Sequence, residues 1–156
     1  HVIRNAVDCA AFHPGLRVAR ERVCEAHRIP PQDTVFLLVG SGYGRKGVAT
    51  AIRALATLPA ATHLVVVGRE AHPQRYARLA RSLGLSGRVH IAGPQTDPKA
   101  YFGAADAFVL PTIYDPCPNA ALEAMACALP VVTSTKGRSG RGVRSTGRPP
   151  AASRLR

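Results

Sequence analysis

AFVLPTIYDPCPNAALEAMACALPVVTS, residues Ala107–Ser134, decides how the rest of the chain is read. It opens with an apolar run, Ala107–Leu110, that reads as a buried strand. A polar, proline-broken loop follows, Pro111–Pro118, then an apolar helix from about Asn119 to Cys127 and a second strand, Val131–Thr133. Two carboxylates, Asp115 and Glu123, stand eight positions apart, one in the loop and one about a turn into the helix. The first turn of a helix carries N–H groups without intrahelical acceptors, and the helix dipole adds positive charge there. The turn Asn119–Leu122 is therefore suited to hold an anion, phosphate being the common case. Glu123 sits in ALEAMA, a segment otherwise wholly apolar, so its carboxylate must reach water or a hydrogen-bond donor.

The same alternation of strand and helix extends toward the N-terminus. Leu16–His27 has helical spacing, with Leu16, Ala19, Val23 and Ala26 on one side, and Pro30-Pro31 ends it. TVFLLVG, Thr34–Gly40, is an apolar strand, followed by the glycine-rich SGYGRKG and an amphipathic helix, Val48–Leu58, stopped by Pro59. HLVVVG is a second strand. Gln74–Leu83 is helical with Gly84 as its C-cap, Arg88–Gly93 is a third strand, and Pro98–Ala105 is a short helix. Strands apolar on both faces, alternating with helices of about ten residues, indicate a parallel sheet covered on both sides. The expected fold class is thus α/β, a Rossmann-like doubly wound parallel sheet with right-handed crossovers. Its two polar loops, after the first and fourth strands, fall at the carboxyl edge, where such sheets reverse strand order and bind ligands.

The first of those loops, Gly40–Gly47, is a second candidate for phosphate. Gly42, Gly44 and Gly47 match G-x-G-x-x-G between a strand and a helix, and Glu70 after the next strand could serve as the ribose-binding acid of an NAD site. Against that reading, Arg45 and Lys46 put bulk where the dinucleotide fingerprint packs backbone on pyrophosphate, and Asp115 and Glu123 are left without a role. As cations, Arg45 and Lys46 are suited to neutralise a diphosphate directly. No Gly-Lys-Ser/Thr follows, which excludes a P-loop.

Composition removes other classes. With 156 residues the chain holds one domain's worth, and no apolar run approaches the ~20 residues that cross a bilayer. It opens HVIRNAVD without a signal-peptide pattern or a Met, so a start inside a longer polypeptide is expected. Cys9, Cys24, Cys117 and Cys127 have no metal-ligand spacing and read as free thiols; no metal site is expected. Of the net charge of +12, the last twenty residues, Gly137–Arg156, supply six arginines and no acid. A nucleic-acid-binding fragment driven by that tail is a non-enzymatic alternative, lacking the clustered stripe or known module elsewhere that it needs.

Several of these segments together resemble the C-terminal, donor-binding half of GT-B glycosyltransferases of the large retaining group called group 1 or family 4. RNAVDCAAFHP is similar to that half's entry pattern N-G-V-D…F-x-P, with Ala6 in place of Gly. GRKGVATAIRAL is similar to K-G…A-I-x-A, and YDPCPNAALEAMACALPVVTS to the E-x7-E loop and helix. Within the group, the RKG loop and PCPNAALEAMA are most similar to lipopolysaccharide core glucosyltransferases. The resemblance runs from about Asn5 to Lys136 and implies three parts. Residues 1–15 would be an inter-domain linker, 16–136 an incomplete nucleotide-sugar-binding domain, and 137–156 a basic tail, whose composition reads either as disordered or as the place where the domain was lost by truncation or a shifted reading frame.

The resemblance also implies roles. Arg45 and Lys46 would hold the donor diphosphate and steady the leaving group. Backbone N–H groups of Asn119, Ala120, Ala121 and Leu122 would cap that diphosphate, with Gly42 and Gly44 shaping the opposing loop. Glu123 would bind the nucleotide ribose. Asp115 takes the place of the first Glu, which contacts the donor sugar. Cys117-Pro118 replaces the family's common Phe-Gly, and Pro118 contributes no N–H. The implied reaction is retaining hexose transfer from a UDP-sugar such as UDP-glucose, with neither metal nor cofactor, in lipopolysaccharide or envelope polysaccharide synthesis. The implied location is the cytoplasm, at the inner face of a bacterial membrane. The acceptor-binding half is missing, so this chain alone is expected to bind donor without turnover and to present an apolar sheet edge.

Overall fold

A computed structural model describes residues 5–115 and 117–134. Its five strands are β1 (Thr34–Val39), β2 (Thr62–Val67), β3 (Val89–Gly93), β4 (Ala107–Leu110) and β5 (Val131–Thr133). They form one wholly parallel sheet in the order β3-β2-β1-β4-β5, with Leu37 of β1 in register with Val65 on one side and Phe108 on the other. Every residue of β2 is buried, the apolar run Leu64–Val67 together with the polar Thr62 and His63. The order reverses between β1 and β4, so the expected Rossmann-like doubly wound sheet is the observed one.

Helices α3 (Val48–Leu55) and α4 (Gln74–Ser82) follow β1 and β2 and pack against each other and the sheet. Helices α5 (Lys99–Ala104) and α6 (Asn119–Ala126) follow β3 and β4; right-handed crossovers place them on the opposite face. Around this core Leu37, Leu38, Val65, Val66, Ile52, Phe102 and Phe108 are almost fully buried.

The expected helix over Leu16–His27 is corrected in its first half. A 3-10 helix covers Pro14–Ala19, and α1 runs only over Arg20–Ala26. His13 caps the start by accepting the Gly15 N–H on its Nδ1, with Pro14 at the first position. The stretch read as an entry linker is also docked. Phe12 meets Phe102 edge-on at 5.4 Å, and a Cβ on Gly103 would fall 1.9 Å from the Leu16 carbonyl oxygen, so α5 lies against this segment without intervening side chain. Arg17 and Arg20 grip Asp106 at 2.8 and 3.0 Å, and Asp106 also accepts the Val35 N–H. Burial alone lifts the Asp106 carboxyl, but that N–H and the two guanidiniums outweigh it and hold it below the usual carboxylate range. The tail 137–156, read as disordered and truncated or frame-shifted, lies outside the described residues.

Three helices end in one motif, in which an N–H reaches back across the last turn. The donors are Ile29 to Cys24, Leu85 to Ala80 and Leu129 to Ala124, at 2.8, 2.8 and 3.0 Å. Each needs a left-handed residue just before the donor. Gly84 fills that place in α4, where the sequence pointed to it, but α1 uses Arg28 (φ 55°) and α6 uses Ala128 (φ 59°). Because a Cβ in this conformation costs about 1–2 kcal/mol, Ala128→Gly is expected to stabilise the fold by about 1 kcal/mol, read as a higher urea midpoint at unchanged m.

Below the amino edge of the sheet, Asp33, His63 and His90 form a hydrogen-bonded row. His63 Nε2 lies 2.9 Å from Asp33 Oδ2, and its Nδ1 lies 3.1 Å from His90 Nε2. The His27 ring, at the end of α1, meets His90 edge-on at 5.6 Å and Tyr101 of α5 at 5.8 Å. Burial, with His63 and His27 alongside, lowers His90 from 6.5 to about 4. The fold thus favours the neutral ring, and the unfolded chain binds the proton more readily. Stability from this group is complete above pH 6.5 and is lost as pH falls toward 4, by roughly 3 kcal/mol. Urea unfolding at pH 7 and pH 4.5 should show that loss, and His90→Leu should flatten it.

Candidate functional site

The two polar loops meet at the switch point between β1 and β4. After β1 the chain does not run as a simple glycine loop: Tyr43–Lys46 forms a one-turn helix, α2, between Gly42 and Gly47, both left-handed. Tyr43, in the midst of the glycine-rich loop, is completely buried. Its ring meets Tyr76 edge-on at 5.4 Å, its hydroxyl donates to the Gly68 carbonyl at 2.9 Å, and its N–H donates to Glu70 at 2.8 Å. A lone aromatic among glycines was the one signal in the sequence that this loop is anchored. Glu70 is thereby committed. It caps α2, accepts the His72 N–H, and faces Arg75 at 3.6 Å, leaving the ribose role of an NAD site without its acid.

The end of α2 is locked to the loop after β4. The Arg45 carbonyl accepts both the Thr112 hydroxyl and the Ile113 N–H, each at 2.9 Å. At Gly47 (φ 77°) a Cβ would fall 1.9 Å from the Pro111 carbonyl oxygen, so the loops touch through bare backbone. This brings Arg45, Lys46 and Asp115 together. Lys46 Nζ forms a hydrogen-bonded ion pair with Asp115 Oδ2, and Arg45 Nη1 stands 3.6 Å from the same oxygen. The Lys46 and Asp115 side chains are 11% and 10% exposed, whereas Arg45 is 54% exposed and open to a ligand. The Lys46 stem lies across Gly40, where an added Cβ would come within 2.7 Å of Cε. The resemblance implies a sugar contact for Asp115; the structure shows it as the counter-ion that fixes the Lys46 ammonium.

Helix α6 supplies the facing wall. Pro118 is its extended N-cap and makes no side-chain cap. Asn5 Nδ2 donates to the Cys117 carbonyl at 3.1 Å and to Asn119 Oδ1 at 2.7 Å, fastening the start of the helix from the other end of the chain. Among the four N–H donors expected over Asn119–Leu122, Ala121 already donates to the Pro118 carbonyl at 3.0 Å, which reduces its share in any anion contact. Glu123 is half-buried one turn further on, and burial pushes its carboxyl above the usual range. The buried Cys127 thiol, one turn beyond, is pushed up by burial and by Glu123. A carboxylate in that setting gains from hydroxyl donors, the chemistry a ribose offers. Among the described residues no cluster of three or more His, Cys, Asp or Glu could hold a metal ion.

The site, then, has one exposed and one buried cation, the free end of an eight-residue helix and an under-satisfied carboxylate, all at one sheet edge. Comparison with known proteins places the chain in a family. The lipopolysaccharide glucosyltransferase WaaG of Escherichia coli K12 is 36% identical over 120 residues, 74% of this chain and 32% of that protein. The lipopolysaccharide core biosynthesis glycosyltransferase LpsE of Rhizobium meliloti is 36% identical over 105 residues, 67% of this chain and 31% of that protein. The chain thus spans about a third of the length of these relatives. In three dimensions it matches the WaaG crystal structure with a TM-score of 0.69 at 35% identity, over 76% of this chain and 33% of that one. It also shares its fold with Anabaena Alr3699/HepE, crystallised in complex with UDP and glucose, with a TM-score of 0.76 at 24% identity over 88% and 38% of the two chains. The family model described as glycosyl transferases group 1 matches residues 19–144, and the chain belongs to that family.

Proposed function

We propose that this chain is the donor-binding part of a retaining glycosyltransferase that transfers a hexose from a UDP-sugar, UDP-glucose being the first candidate, in lipopolysaccharide or envelope polysaccharide synthesis. The observation that carries the reading is the convergence of Arg45, Lys46 and Asp115 with the N-terminus of α6 at the β1/β4 switch point. In this reading Arg45 and Lys46 neutralise the diphosphate and stabilise charge on the departing nucleotide. The first N–H groups of α6 receive its oxygens. Glu123 accepts from the ribose hydroxyls. Neutralisation is assigned to side chains, so neither metal nor cofactor takes part.

In this reading Asp115 orients the lysine, and its second oxygen accepts from a sugar hydroxyl. The acceptor is bound by a part of the full-length protein outside this chain, which works at the cytoplasmic face of the membrane. The chain alone therefore binds donor and does not turn it over. Calorimetric titration with UDP, UDP-glucose and NAD tests the reading. Binding of the two uridine ligands without NAD is expected; NAD binding without UDP would replace it with the oxidoreductase alternative.

A further inference from the structure

Asn5 ties the first described residue of the chain to the start of α6. Its side-chain nitrogen donates to the Cys117 carbonyl at 3.1 Å and to Asn119 Oδ1 at 2.7 Å, across 112 and 114 positions of sequence. An amide nitrogen carries two hydrogens, so these two acceptors use both. The contacts also fix which way each amide is turned. A backbone carbonyl can only accept, so Asn5 must face Cys117 with its nitrogen. That same nitrogen, 2.7 Å from the Asn119 side chain, must be met there by an oxygen. The Asn119 nitrogen is therefore left on the other arm of its amide, with two N–H groups that donate to nothing among the described residues.

Asn119 is exposed and is the first residue of α6, the end assigned above to the diphosphate. Donors are scarce at that end. Pro118 has no N–H, and the Ala121 N–H is committed to the Pro118 carbonyl. We infer that Asn119 binds the donor diphosphate through its side-chain amide as well as its backbone, and that Asn5 is the positioning residue that turns this amide to donate. Without Asn5 the Asn119 side chain is free to rotate, and a reversed amide would set Oδ1 against the phosphate oxygens. The inference rests on the donor-site reading above and adds to it a contact, with its control placed in the segment read as the entry linker. Arg45, Lys46 and Asp115 define that site without either asparagine.

Titration of the whole chain with UDP and with uridine tests it, on Asn5→Ala, Asn119→Ala, the double variant and Asn119→Asp. Asn119→Ala should weaken UDP binding about tenfold, as expected for one hydrogen bond to a charged group, and leave uridine unchanged because the nucleoside has no phosphate. Asn5→Ala should weaken UDP about threefold, through the lost ordering of the Asn119 side chain. The double variant should lose no more than Asn119→Ala alone, since Asn5 acts through Asn119. Asn119→Asp keeps the oxygen that Asn5 needs and suits the positive end of a helix, so its urea midpoint should hold. It exchanges the two free donors for a charged oxygen, however, and should lose the most UDP affinity. Unchanged UDP affinity in Asn119→Ala, equal losses for UDP and uridine, or additive losses in the double variant would each overturn the inference while leaving the donor site in place. Absence of UDP binding by the unsubstituted chain would instead overturn the donor-site reading, and this inference with it.

Discussion

Lys46→Met should remove both donor affinity and a large part of the fold's stability, by about 3–5 kcal/mol, because it strands Asp115. The two side chains are each about a tenth exposed, and Lys46 Nζ carries the direct hydrogen bond to the carboxylate. Without it, the nearest remaining cation is Arg45, 3.6 Å away and half in solvent, which screens the buried charge incompletely. Asp115→Asn in the same background should recover most of the stability by removing the stranded charge, yet UDP affinity should stay low because the ammonium is gone. Urea unfolding and UDP titration on the single and double variants separate the two contributions. Recovery of UDP binding in the double variant would show that Lys46 is only a structural partner.

The second large effect is expected at Gly47. Its left-handed backbone and the Pro111 carbonyl, 1.9 Å from where a Cβ would stand, leave no room for a side chain. Gly47→Ala adds the strain of a left-handed alanine to a backbone collision, together about 2–4 kcal/mol. The relief available is to part the two loops. That would break the Thr112 and Ile113 bonds to the Arg45 carbonyl and move Arg45 and Lys46 away from α6. UDP affinity should fall at least tenfold even where the protein stays folded. Gly42→Ala is the control: that residue is also left-handed (φ 73°), but no atom lies within 4 Å of its Cβ position, so only the conformational part should be seen. Equal losses for the two variants would mean that the loop contact does not matter.

Much of this architecture was legible because the strands are written as continuous apolar runs. HLVVV and TVFLL can be buried on both faces only in a covered parallel sheet, and that requirement fixes the alternation with helices. The site's location was equally readable, since the loops after β1 and β4 are the polar, glycine- or proline-broken ones and carry Arg45, Lys46 and Asp115. What escaped the sequence was local structure too short to show a period. Tyr43–Lys46 is one turn, and the 3-10 helix at Pro14–Ala19 shares apolar positions with an α-helix at the same spacing. Contacts between distant segments also escaped it. Asn5 on α6, His63 between Asp33 and His90, and the Asp115–Lys46 pair join residues 27 to 114 positions apart, which no local pattern records. Arg28 and Ala128 show the opposite failure, where the helix ends as expected but without the glycine that usually marks it.

A crystal structure of the chain grown with UDP tests the central claim most directly. The account predicts the diphosphate between the Arg45 guanidinium, the Lys46 ammonium and the first turn of α6, with the ribose hydroxyls on Glu123. A nucleotide bound elsewhere on the protein, or in the same crevice with its diphosphate turned away from both cations and from Asn119, would contradict it.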